Sequence, residues 1–256
     1  MKISIVTLSL NQQKYLREAM DSILGQGFQE LDYIVVDPGS KDGSRELIAR
    51  YAPRLAHTIL EPDQGASDGL NKGFAVASGE IFGFVNADDY LFPGSLQRVS
   101  EFFTTHPECD IAFGNGWKVD GDGGKLRHYK ARSITLNHYF YGGAVWLQQS
   151  TFFRASAFRR TPGFNLANRT CWDGELIVTM LKQGARPGYI DADLGAFRIH
   201  GESITGTGRL NEQYRKDCQR IFKEVQGHTW SGSDALRRIG YRGTGLALRV
   251  LSRITG

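Results

Sequence analysis

The chain has 256 residues, 41% of them hydrophobic and 23% charged, which fits one large α/β domain or two small ones and excludes a disordered chain. A net charge of +4 suits an anionic substrate or an acidic membrane surface, but is too weak to indicate a nucleic-acid partner.

Apolar residues 3–8 predict a first strand, and Asn11 is placed to cap a helix whose Leu16, Met20, Ile23 and Leu24 share a face. Residues 33–36 form a second strand ending at Asp37, and Asp42 can cap a helix carrying Leu47 and Ile48. A short strand at 57–60, a helix over about 67–77 and a buried strand at 81–85 follow. A helix with Leu96, Val99, Phe102 and Phe103 leads to a strand at 111–113. This alternation predicts a largely parallel sheet covered on both faces. Gly121-Asp122-Gly123-Gly124 then reads as a hairpin turn between 117–119 and 126–129. A short helix at 137–141, a segment at 148–153, a helix at 173–183, strands at 189–190 and 194–199, and a helix at 210–225 complete the pattern. The tail, 233–254, mixes apolar residues with Arg237, Arg238, Arg242, Arg249 and Arg253, so it either lies on an anionic membrane or packs on the body with its arginines in water.

Cys109, Cys171 and Cys218 are far apart without zinc-site spacing, and reduced thiols in a cytoplasmic protein are expected. Residues 1–8 are too short for a cleaved leader, and no apolar run approaches a membrane span.

Polar clusters fall at strand ends, where open α/β sheets bind ligands. Asn86-Ala87-Asp88-Asp89 follows the fourth predicted strand. Crowded carboxylates repel one another unless a hard cation such as Mg²⁺ sits among them; the alternative is an ordinary acidic turn. Asp37 can accept a hydrogen bond from a nucleobase N–H or a ribose hydroxyl. Residues 61–73 are dense in charge, amide and glycine beside a helix start; Asp63 and Asp68 are anions there, and capping explains one of them as well as ligand contact does.

Taken in order, Ile3 through Asn11, Val35 through Ser44, Glu61-Pro62-Asp63-Gln64-Gly65, Asn71-Lys72-Gly73, Ala77-Ser78-Gly79-Glu80 and Asn86-Ala87-Asp88-Asp89 resemble the signature of glycosyltransferase family 2. The likeness is to bacterial enzymes of O-antigen and capsule synthesis, and continues through Gln148 to Arg154, Trp172-Asp173 and Arg198-Ile199-His200. It implies a GT-A fold with a Rossmann-like, mostly parallel sheet over 1–205, a nucleotide-sugar half at 1–115, an acceptor half at 116–205 and a helical extension at 206–256. It implies an inverting enzyme with a nucleotide-sugar donor, UDP-linked by preference, a divalent metal (Mn²⁺ or Mg²⁺) and a saccharide or lipid-linked saccharide acceptor. Thr7, Ser9, Asp37, Asp68, Asn86, Ala87 and Asp88 would line the donor site. Asp88 would ligate the metal, with His200 as a further contact, and Asp173 would be the general base, its alternative role being that of an N-cap. Asp89, Gln148, Gln149 and Trp172 would face acceptor or transferred sugar.

Pro38, Leu70 and Asn86 depart from the commoner pattern, in which the first and third positions are acids and the second an arginine. A binding-only homologue with a decayed site would explain Pro38 and Asn86, though not the joint presence of Asp88, Asp173 and His200. A sugar-phosphate nucleotidyltransferase lacks its Gly-rich arginine loop here, and no G-x-G-x-x-G follows the first strand to indicate a dinucleotide enzyme.

Overall fold

A computed structural model describes residues 1–132 and 134–241. Its strands are β1 (Ile3–Leu8), β2 (Leu31–Val36), β3 (His57–Ile59), β4 (Ile81–Phe84), β5 (Tyr90–Leu91), β6 (Ile111–Val119), β7 (Lys125–Tyr129), β8 (Thr151–Arg154) and β9 (Pro187–Arg198). They form one sheet in the order β3-β2-β1-β4-β8-β6-β9-β5, with β7 paired to β6. The strands β1 to β4 are mutually parallel, as are β6 and β9. Antiparallel pairs join β8 to β4 and β6, β5 to β9 and β7 to β6.

Alternation along β1 explains the two-sided core. Ile3 and Ile5 enter a cluster with Leu16, Met20 and Ile23 of helix α1 (Gln13–Leu24), while Val6 enters the opposite cluster with Leu70 and Phe74 of helix α3 (Ala66–Val76). Each fully buried aliphatic side chain contributes roughly 1.5–3 kcal/mol relative to exposure. Gly73 lets α3 sit close to the sheet, since a Cβ there would lie 2.6 Å from a Val6 methyl. This closeness fixes the loop before α3 at the strand ends.

Helix α2 (Ser44–Tyr51) and helix α4 (Ser95–Thr105) cover the α1 face, and helix α5 (Leu136–Tyr141), helix α6 (Ala155–Arg159) and helix α7 (Trp172–Lys182) the second half. A short helix α8 (Ile204–Thr207) and a longer helix α9 (Asn211–Gln226) follow, then helical residues 232–241.

The predicted strands at 111–113 and 117–119 are one strand, and so are those at 189–190 and 194–199. The expected cap at Asn11 is corrected. Asn11 adopts φ 53° and its side-chain oxygen accepts from the Lys41 N–H, while Asp42 reaches across to accept from the Gln13 N–H at the start of α1. Asp42 also accepts from the Ser44 N–H, so one carboxylate serves two helix starts. The tail 233–254 lies outside the described residues beyond 241; up to there it packs on α5, with Tyr141 donating to Asp234 at 3.0 Å.

Candidate active site

Loops after β1, β2 and β4 converge at the carboxyl ends of the parallel strands, around a cleft of about 540 Å³. Ser9, Pro38, Asp63, Asn86, Asp88 and Trp172 are among its walls. Behind Pro38, the Asp37 carboxylate is buried. Its Oδ1 accepts from the N–H groups of Gly39 and Ser40 and, at 3.2 Å, from Arg45. Burial pushes Asp37 up, but these donors outweigh it and hold the carboxyl below its ordinary value.

Asp37 Oδ2, Ser9 Oγ and Gln148 Oε1 are buried without a hydrogen-bond partner among the described residues. Buried polar atoms normally have partners, so three orphans around one cleft mark the place where a polar ligand belongs. Thr7 sits deeper, accepting from the Tyr33 hydroxyl at 2.9 Å. Asp68 turns back on its own loop, accepting from the Gln64 N–H at 2.9 Å with Lys72 Nζ 3.6 Å away. Asp63, beside it, lines the cleft and accepts from the Gly65 N–H.

The turn after β4 carries the second group. Asn86, Ala87 and Asp88 line the cleft, and Asp88 Oδ2 lies 3.1 Å from His200 Nε2. Asp89 points inward and is 2% exposed. It accepts from the Arg198 N–H, the Gln149 amide at 2.6 Å and the Asn86 amide at 3.3 Å. Burial, then the neighbouring Asp88 charge, raise its carboxyl well above the ordinary range. Asp89 and Gln149 therefore brace the turn from beneath.

Arg198, to which the motif pattern gave no role, completes the brace. Its side chain donates to the carbonyls of Asp88 and Gly121, each at 2.9 Å, and to the Glu18 carboxylate, and its guanidinium packs over Tyr15 and Tyr90. The signal for it was available: an arginine within the apolar run at 194–199 needs buried acceptors.

Trp172 opens α7 and Asp173 follows it in the first turn; the N-cap position belongs to Cys171, which corrects the N-cap alternative for Asp173. Asp173 is half-buried. Burial pushes its carboxyl up to about 6 and outweighs the backbone N–H groups of Gly174 and Asp173, which pull it down. Glu175 is different: it forms a bidentate pair with Arg220 and accepts from Asn165 and Asn168, which lowers it despite burial. Gln148 lines the cleft and donates its amide to the Phe84 carbonyl.

Among the described residues no three His, Cys, Asp or Glu side chains converge as a metal cage. The Asp88–His200 pair offers one carboxylate oxygen and one imidazole nitrogen, a donor set suited to Mn²⁺ whose remaining positions a diphosphate and water can fill. The pair thus fits a metal brought together with its nucleotide.

An open α/β sheet with orphaned polar atoms and a carboxylate–imidazole pair at its strand ends has the features of a polar-ligand site. Residues 4–161 match the family described as Glycosyl transferase family 2, and the chain belongs to that family. It is 36% identical over 258 residues to an uncharacterized glycosyltransferase of Nostoc sp., covering 94% of this chain and 77% of that one. It is 32% identical over 116 residues to a PGL/p-HBAD biosynthesis glycosyltransferase of Mycobacterium tuberculosis, covering 44% of this chain and 45% of the relative. Among solved structures, S. aureus TarS 1-349 in complex with UDP superposes with a TM-score of 0.70 at 19% identity, covering 93% of this chain and 68% of that one. The mannosyltransferase PcManGT from Pyrobaculum calidifontis, in complex with GDP-Man and Mn²⁺, does so with a TM-score of 0.64 at 16% identity, covering 100% of this chain and 76% of that one. The protein is a glycosyltransferase with the GT-A fold.

Proposed function

We propose that the protein transfers a sugar from a UDP-sugar to an acceptor hydroxyl with inversion, in the synthesis of a bacterial cell-surface polysaccharide. The observation that carries this is the orphaned Asp37 Oδ2, beside a cleft that also holds Asp88 and Asp173. A lone buried carboxylate oxygen is complementary to the imide N–H of uracil. The UDP complex of TarS supports uridine; the GDP-Man complex of PcManGT favours the guanosine alternative.

Asp88 and His200 hold the divalent metal in this proposal, and the metal supplies Lewis-acid stabilisation of the leaving diphosphate. Ser9 and Gln148 use their unpartnered oxygens on the donor. Asp173 takes the proton from the acceptor hydroxyl as it attacks the anomeric carbon, and attack opposite the leaving group inverts that carbon. A carboxyl near 6 is mostly ionised at neutral pH, yet more basic than an ordinary aspartate. The tail 233–254 is proposed to bring the enzyme to the inner face of the cytoplasmic membrane.

Calorimetric titration of UDP, GDP and TDP, each with and without Mn²⁺, tests the donor. UDP should bind tightest and Mn²⁺ should strengthen it. Equal or tighter GDP binding removes the uridine preference, and sugar-nucleotide binding without any turnover favours the decayed homologue that Pro38 and Asn86 would otherwise indicate.

A further inference from the structure

Helix α9 meets the start of α7 through two adjacent residues, Asp217 and Cys218. Asp217 is 3% exposed and accepts from the Arg169 N–H at 3.2 Å and from the Thr170 hydroxyl at 2.7 Å. Cys218 packs against Cys171, the N-cap of α7, two residues before Asp173. The two thiols are distant in the chain, yet here they hydrogen-bond to each other. Cys171 accepts from the Asn168 amide at 3.7 Å, which leaves its S–H to donate to Cys218. Cys109 stands apart, in the core cluster on the α1 face.

The pair is asymmetric. Cys171 is 5% exposed, and its hydrogen bond to Cys218, followed by burial, keeps it protonated. Cys218 is partly exposed and lines a cavity of about 1190 Å³ between α5, α7 and α9, wide enough for a small oxidant. The Cys171 hydrogen bond holds the Cys218 thiol down to about 7 with help from Tyr214, against burial and the charges of Asp217 and Asp173. An accessible thiol with thiolate character beside a buried, protonated one is the arrangement that a peroxide converts to a disulfide.

Resting on the transferase reading above for its consequence, we infer that Cys218 and Cys171 are a peroxide-oxidised thiol pair whose disulfide silences transfer by displacing Asp173. The Cys218 thiolate attacks one peroxide oxygen. An S–O bond forms, the O–O bond breaks, and the departing hydroxide takes up the proton that Cys218 lost. The Cys171 sulfur then attacks the sulfur of the Cys218 sulfenic acid. The S–S bond forms, the S–O bond breaks, and the second hydroxide leaves as water with the Cys171 proton. Two thiols lose two electrons and one peroxide becomes two waters. A dithiol restores the pair by exchange.

Sulfurs in hydrogen-bonding contact must close to about 2.05 Å to be joined. Asp217 holds residues 169 and 170 in place, so the approach is taken up at the N-cap and carried into the first turn of α7, where Asp173 lies. A misplacement of roughly 1 Å at a reacting group costs about 10²-fold in rate.

In the test, full-length reduced protein is treated with a small excess of hydrogen peroxide. Free thiols are then blocked in denaturant, and tryptic peptides are read by mass spectrometry. The three cysteines fall in separate peptides, 99–118, 170–182 and 217–220. Peptides 170–182 and 217–220 should appear joined, and 99–118 should carry the blocking group. Oxidised protein should transfer sugar about 10²-fold more slowly, with UDP affinity unchanged, and dithiothreitol should restore the rate. Cys218→Ser should keep the transfer rate and lose the sensitivity to peroxide. Cys171→Ser, whose hydroxyl can still cap α7 and donate to Cys218, should stop at a Cys218 sulfenic acid that dimedone traps. No joined peptide, a joined peptide that includes 99–118, an oxidised protein of unchanged rate, or equal inactivation of Cys218→Ser would each overturn the inference. Protein that forms the disulfide but, when reduced, transfers no sugar from any nucleotide donor would overturn the transferase reading, and the silencing with it.

Discussion

At the residue scale, the proposed chemistry turns on Asp173. A helix N-terminus lowers a carboxyl and burial raises it; here burial wins and the group sits near 6. The acid form is favoured below that value and the base form above it, so transfer should rise with pH through about 6 and then level. Asp173→Asn should cut transfer roughly 10²–10⁴-fold. UDP affinity should stay within about twofold, since this substitution removes a charge and little volume. Stopped-time product assays and calorimetry read the two effects, and near-wild-type transfer would shift attention from Asp173. Asp88→Ala should abolish the strengthening of UDP binding by Mn²⁺ while thermal unfolding stays cooperative; retained metal dependence would move the metal elsewhere. The family resemblance singled out both residues in the sequence, beside the bland readings of an acidic turn and a helix cap, and the structure brings both to the wall of one cleft. Asp89 shares the Asp88 motif, yet its side chain turns under the floor, where Gln149, itself in the cleft wall, donates to it. Direction of a side chain within a tight turn is set by tertiary partners, which spacing does not reveal.

At the element scale, β9 holds the Asp88 turn through Arg198. No single lysine amine can reproduce a planar fork that serves the Asp88 carbonyl, the Gly121 carbonyl and Glu18. Arg198→Lys should therefore lower stability by roughly 1–3 kcal/mol, the cost of leaving buried acceptors unpaired. It should also weaken the Mn²⁺-dependent part of UDP binding more than the metal-free part. Urea unfolding and paired titrations read this, and equal losses in both parts would reduce Arg198 to a purely structural brace. The strand–helix alternation up to β4 was legible because each element carries its own apolar period. Strand β6 was split in the sequence by Gly114 and Gly116, and β9 by Asp191 and Asp193. These residues sit where the pairing between the two strands shifts register. The close approach explains the glycines: a Cβ on Gly116 would stand 2.3 Å from the Gly195 carbonyl oxygen. Strand β5, two residues long, is too short to leave any pattern.

At the scale of the whole molecule, no helix among the described residues is long and apolar enough to cross a membrane. Leu236 and Ile239 are about 70% exposed beside Arg237 and Arg238, at 71% and 69%. Apolar residues flanked by arginines suit an anionic lipid surface. Full-length protein should co-sediment with anionic liposomes more than with neutral ones, and more than a chain ending at His228; equal sedimentation of both chains would leave the helix a packing element. The order in which the molecule becomes itself is a separate matter. Strands β1 to β4 neighbour one another in sequence and can assemble early, carrying Asp37 and Ser9 with them. The Asp88 turn is clasped by Arg198 across 110 residues of chain, so it waits for the slow, non-local closure of β9. If Asp37 and Asp88 have the roles proposed above, a folding chain should acquire its nucleoside pocket before its metal turn. In refolding followed by stopped flow, capture of a fluorescent uridine nucleotide should precede the Mn²⁺-dependent gain in affinity, giving the cell a catalyst that stays idle until it is whole.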